Sequence, residues 1–167
     1  MNKKGSGLDF LNVPLIIFTF ILFVVIGWFI LDAFKDGLNN LDGDSINKTL
    51  AVGYVDSGIN SIEYFDYLFI FLFVGLTSSL WISAYYINSN PVFFWVSILL
   101  LFVVIILAAV FNNVYYEIAQ TEMEDSVNAF PIMTHVMNNL ALYCALIIIS
   151  TIVILYSKGQ RGGFEGF

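Results

Sequence analysis

The sequence predicts an all-α integral membrane protein, with four transmembrane helices in an antiparallel bundle and a tight hairpin between the second and third spans. Three observations carry this. Of 167 residues, 59% are hydrophobic and 11% charged, with a mean hydropathy of +0.86, far outside the soluble range. Four segments approach or exceed the roughly 18 apolar residues needed to cross a ~30 Å hydrocarbon layer at ~1.5 Å per residue. Finally, a stretch of 45 residues, 67–111, has no charged side chain and is broken only at Asn88-Ser89-Asn90-Pro91.

The first span covers 13–31. Asn12 and Pro14 resemble a cap and a first-turn proline, and Asp32 closes the run. A cleaved signal peptide has an apolar core of about 7 to 15 residues and a small-x-small site. This run has 19 residues and ends in Trp28-Phe29-Ile30-Leu31, so it reads as retained.

Segment 32–66 is expected as an outer loop. It mixes glycine and Asx turn signals with short apolar groups such as Leu50-Ala51-Val52, and is predicted to fold against the membrane or a partner. Asp42-Gly43-Asp44 invites an EF-hand template. Placing the required glycine at Gly43 puts Leu38 at the first ligand position, and placing it at Gly37 puts Phe34 at the third, so the template fails. A solvated acidic loop is the simpler reading. Asn47-Lys48-Thr49 fits the glycosylation acceptor pattern on the predicted outer side.

The second span, 67–87, has the most informative pattern. Gly75, Ser79 and Ser83 recur every four residues, with Ser78 and Ala84 beside them, among the large Phe69, Phe73, Leu76 and Leu80. Such a stripe lets another helix approach closely, within the chain or between copies. A hydroxyl-lined conduit in an oligomer is the alternative. A single helix over 67–111 would be about 67 Å long, twice what a bilayer covers. Asn88-Ser89-Asn90 bond their own backbone in turns, and Pro91 disfavours helix at Asn90 while suiting the first position of a new one.

The third span covers 92–111, with Ala108 and Ala109 as candidates for close packing near its outer end. Val114 and Ile118 keep step with Val110, so this helix is predicted to run on for one or two turns. The outer segment 112–136 then becomes wet at Glu122, Glu124 and Asp125, has Ser126 or Asn128 near a turn, and opens the fourth helix at Pro131. The fourth span is placed at 137–156, clearly apolar only from Leu140. The tail, 158–167, is a glycine-rich flexible tether, with Lys158 and Arg161 at the inner headgroups and Phe164 and Phe167 available to a partner's groove. Trp28, Trp81 and Trp95 lie toward span ends, as interfacial aromatics do.

Lysine and arginine favour the cytoplasmic side of a membrane. With four spans both termini share a side, which holds Lys3, Lys4, Lys158 and Arg161, against Lys35 and Lys48 opposite. Both termini are therefore expected on the cytoplasmic or inner side. The outer side carries Asp32, Asp36, Asp42, Asp44, Asp56, Glu63, Asp66, Glu117, Glu122, Glu124 and Asp125, and is strongly negative.

Residues suited to chemistry are few. His135 is the only histidine; with Asn138 and Asn139 at helical spacing it forms a polar patch at the outer end of the fourth span. Cys144 is the only cysteine, so no intrachain disulfide forms, and tetraspanin-type or claudin-type families are poor matches. None of the four spans contains Asp, Glu, Lys, Arg or His, the groups that proton-coupled carriers place at membrane depth. No catalytic residue, metal or cofactor is expected, and the chain reads as a non-enzyme.

The stretch INSNPVFFWVSILLLFVVIILAAVFNNVYYEI, residues 87–118, resembles segments of small polytopic membrane proteins of bacterial viruses and related mobile elements. The resemblance implies a cell- or virion-membrane protein with partners in a capsid or membrane complex. The expected function is a structural or assembly component, in contact with the lipid bilayer and with protein partners or further copies through the second span. No nucleic-acid partner is expected. A holin-type permeabilising protein and a small uncharged channel subunit are the alternatives.

Overall fold

The computed structural model of the chain describes residues 9–41, 46–86, 91–119 and 123–161. Every regular element among them is a helix: α1 (Asp9–Asn39), α2 (Ile46–Tyr86), α3 (Pro91–Ala119), α4 (Glu124–Asn128), α5 (Pro131–Asn138) and α6 (Leu140–Arg161). Four are long and apolar enough to cross a membrane, over Asn12–Asn39, Asn47–Tyr86, Trp95–Ala119 and Leu140–Ser157. Runs such as that of α3, rich in valine and isoleucine, are ambiguous by periodicity alone. Their length decides, because a helix satisfies every backbone group within the segment.

α1 lies at the centre of the core. Val13, Ile17, Ile21, Val24, Val25 and Trp28 recur at helical spacing and are buried, and the helix packs on α2, α3, α4 and α6. Aromatic pairs tie it outward: Phe18 stacks on Phe111 with centroids 4.3 Å apart, and Phe20 on Phe69 at 6.1 Å. Trp28 is buried against the rest of the chain, and its Nε1 donates to Glu63 Oε1 at 3.3 Å. Pro14 differs from expectation. The helix begins at Asp9, so the proline lies inside α1 rather than in its first turn. It sacrifices one backbone bond near the helix start, where its ring is fully buried.

The largest departure concerns 32–66, expected as an outer loop. Instead α1 continues to Asn39 and α2 starts at Ile46, so both helices run well past the charge-free stretches. Long-range pairing overrides the local turn signals. Val55, Ile59 and Ile62 turn toward the core, and Lys35 Nζ meets Asp56 Oδ1 at 2.7 Å. Lys48 Nζ donates to the carbonyls of Asn39 and Leu41, at 2.8 and 2.7 Å, satisfying acceptors that the end of α1 leaves open. Ser57 and Ser61 bond the carbonyls four residues back, so their hydroxyls no longer favour turns. Gly58 permits the close approach of α1: a Cβ added there would lie 3.3 Å from Leu31 Cδ1.

α3 runs on to Ala119, as the Val110, Val114, Ile118 register predicts. Pro131 is the first residue of a helix, but that helix is the short α5, and the chain breaks at Asn139 (φ −118°, ψ 19°) before α6 begins at Leu140. A helix opening at Pro131 and an apolar span opening at Leu140 are therefore both present, as separate elements. Residues 158–161, expected as part of the flexible tail, instead continue α6 to Arg161. The Asp42-Gly43-Asp44 motif, the turn at Asn88-Ser89-Asn90, Lys3, Lys4, Glu122 and the rest of the tail, from residue 162, lie outside the described residues.

Candidate functional site

The end of the molecule where α2, α3, α4 and α5 meet holds the buried Asp66, Ser126 and Tyr115. α5 starts with Phe130 in the capping position and Pro131 next, and neither side chain offers an acceptor to the first amides of the helix. Asp66, from the middle of α2, supplies both. Its Oδ2 accepts from the Ile132 amide at 3.0 Å and its Oδ1 from the Met133 amide at 2.8 Å. The carboxylate is 2% exposed and sits at the positive end of the α5 dipole, where two amide donors replace the water it loses. Reading Asp66 as one of the solvated outer acids is thus corrected: it is a buried strut.

A second polar chain lies alongside. Thr134 Oγ1 donates to the Val127 carbonyl at 3.0 Å, so the 2.9 Å contact with Tyr115 is donated by the tyrosine hydroxyl. Tyr115 is 1% exposed, and its bond joins α3 to α5 while Thr134 joins α5 to the end of α4. Ser126, next to Val127, is buried with its Oγ unpaired among the described residues. Further along, Trp81 Nε1 donates to Ser150 Oγ at 2.9 Å, which in turn donates to the Ile147 carbonyl. That links α2 to α6 within their apolar stretches.

The residues singled out in the sequence separate into two groups. Gly75, Ser79 and Ser83 all face outward, and a Cβ added at Gly75 would meet nothing within 4 Å. Among the described residues, no other helix of the chain packs against this stripe. Beside it Ser78 is half-buried and Ala84 buried. Ala108 is fully buried in the core, whereas Ala109 is exposed. His135 and Asn138 are exposed and Asn139 half-buried. Asn139 Nδ2 donates to the His135 carbonyl at 2.9 Å, and Asn112 Nδ2 to that of Asn138 at 3.5 Å. The His135 ring meets the edge of Tyr143 at 6.3 Å.

Cys144 is buried beside Val13, Pro14, Leu80, Val104 and Ile147, in a crevice with no room for a water molecule. None of the residues lining that crevice is a base that could activate the thiol. Among the described residues, no three of His, Cys, Asp and Glu come together to hold a metal.

Asp66, Tyr115 and Thr134 are the residues that sequence reasoning missed. One signal was available: a helix opening on Phe130-Pro131 has no local cap, so an acceptor must come from elsewhere in the chain.

Comparison of the chain with known protein families, with curated proteins and with solved structures finds no match.

Proposed function

We propose that this chain is an integral membrane protein whose four long helices cross the bilayer as an antiparallel bundle, and that it serves as a non-enzymatic structural or assembly component of a membrane complex. One observation carries the reading. Large apolar side chains stand exposed around the outside of every long helix, among them Phe23, Phe71, Trp95, Phe102 and Val153. A water-soluble protein rarely exposes contiguous apolar surface on this scale, and lipid tails cover it without cost. The antiparallel order is supported by the pairings of α1 with α2, where Lys35 meets Asp56, Trp28 meets Glu63 and Phe20 meets Phe69. The viral setting rests on the resemblance of residues 87–118, and the assembly role on the outward-facing Gly75, Ser79 and Ser83.

The test is expression with membrane fractionation and labelling of cysteines placed at each terminus. Retention in the membrane through an alkaline wash, with both termini labelled from the cytoplasmic side only, supports the reading. Release into the wash, or termini on opposite sides, overturns it. Loss of membrane potential on expression would replace the assembly role with a permeabilising one.

A further inference from the structure

Exposed tyrosines and tryptophans gather at two heights of the molecule. At one, Tyr85 and Tyr86 close α2, Trp95 lies near the start of α3 and Tyr156 near the end of α6, each between 56% and 76% exposed. Contacts between helices bring them level. Trp81 meets Ser150, so counting onward sets Tyr156 beside Tyr86. Phe18 pairs with Phe111 while Phe20 pairs with Phe69, and counting from those contacts sets Trp95 at the height of Tyr86 and Tyr116 at that of Asp66. Tyr64, Tyr67 and Tyr116, between 56% and 67% exposed, mark the second height. It lies about 20 residues from the first along α2, or about 30 Å, the thickness of a hydrocarbon layer. Between the two heights no exposed residue of α2, α3 or α6 is charged; beyond the second, exposed Asn60, Ser61 and Glu117 follow.

α1 does not keep this spacing. Val13 and Pro14 share a crevice with Leu80, which sets Asp9, where α1 begins, within about a turn of the first height. Further along, Phe20 pairs with Phe69, Leu31 approaches Gly58 and Lys35 meets Asp56, so Phe23 is level with Asp66. The uncharged run of α1 nevertheless continues to Leu31, about 12 Å further.

Two placements of a bilayer therefore compete. One that reached Leu31 would immerse exposed Asn60, Ser61 and the carboxylate of Glu117, and at the same thickness would bare Ile82, Leu99 and Val153 at the opposite side. A carboxylate facing lipid carries the larger cost.

We propose that the bilayer lies between the two aromatic heights, so that α1 leaves it near Phe23 rather than at Leu31, and residues 24–39 and 46–63 stand beyond it as a two-helix stalk on the side of α4 and α5. The proposal rests on the membrane reading above and adds the depth at which lipid headgroups meet the chain. Phenol and indole rings suit that depth, with the ring against acyl chains and the polar tip among headgroups. The stalk is joined by Trp28 to Glu63 and Lys35 to Asp56, polar contacts that a helix pair in hydrocarbon seldom carries. It rises about 25 Å, with Ile26 among the headgroups and Ile30 at their outer edge.

The test uses the full chain in liposomes, with single cysteines introduced by Ile30→Cys, Leu99→Cys and Phe71→Cys, all at exposed positions, and a membrane-impermeant maleimide supplied on both faces. Phe71→Cys is the shielded reference under either placement, and buried Cys144 is followed in the unmodified chain. Only the thiolate reacts, and hydrocarbon suppresses it, so Ile30→Cys should react at least about tenfold faster than Phe71→Cys. Leu99→Cys should be as slow as Phe71→Cys. A slow Ile30→Cys or a fast Leu99→Cys overturns the placement alone. Release of the chain from liposomes by alkaline wash would instead overturn the membrane reading.

Discussion

The Met133 amide donates to Asp66 Oδ1 at 2.8 Å, across 67 positions of sequence, and so ties the start of the short helix α5 to the middle of the longest helix in the molecule. The same carboxylate takes the Ile132 amide on its other oxygen. Asp66→Ala leaves the buried Met133 amide and the half-buried Ile132 amide without acceptors, and should lower stability by about 3 kcal/mol. Asp66→Asn keeps one acceptor and loses the charge, and should fall between. Thermal unfolding in detergent measures the loss, and hydrogen exchange should rise first at Ile132 and Met133. A variant as stable as the parent would remove the strut.

Tyr115 and Thr134 form a directed chain that ends on the Val127 carbonyl. Tyr115→Phe removes only the donor, with an expected cost of about 1 kcal/mol. Thr134→Val orphans both the tyrosine hydroxyl and the carbonyl, so its cost should be larger, at about 2 kcal/mol. In a double-mutant cycle the pair should cost less than the sum of the single changes. Strict additivity would mean that the bonds act independently.

Ser126 makes the opposite prediction. Its Oγ is buried and has no partner among the described residues, so Ser126→Ala removes a desolvated group without breaking a bond to them. The expected result is an unchanged or higher unfolding temperature. A clear destabilisation would point to a partner for the hydroxyl.

Gly58 tests the contact of α1 and α2. Gly58→Ala brings a methyl to 3.3 Å from the mobile tip of Leu31, which yields by a few tenths of an ångström. Helix propensity favours alanine by up to about 1 kcal/mol, so the net change should be small. Gly58→Leu cannot be absorbed, and should cost about 2 kcal/mol or more by overpacking. Chemical denaturation of the two variants side by side measures the difference.

The four long apolar helices were legible because each run exceeds what any strand could use. Pro131 and Leu140 marked the helix starts at the far end for equally local reasons, a fixed φ and the onset of an unbroken apolar run. Segment 32–66 was not legible. Its glycines and Asx residues are strong turn formers, and only the pairing of Val55, Ile59 and Ile62 with α1 overrides them. Asp66 was misread because a carboxylate beside an apolar run looks like a boundary, while the amides that hold it lie some 66 positions further on. The composition of the Gly75, Ser79, Ser83 stripe was evident, but its direction depends on where α1 and α6 settle around α2.

The break at Asn139 has a consequence for the kind of bilayer this chain would suit under the proposed membrane reading. By separating α5 from α6, it leaves the last crossing to the 22 residues of α6, of which those from Leu140 to Ser157, about 27 Å of rise, precede the polar end that starts at Lys158. The other three candidates offer 25 residues or more. The shortest stave then fixes the hydrophobic thickness: the protein should concentrate in thin membranes or draw lipid in around α6, while its longer helices lean or protrude.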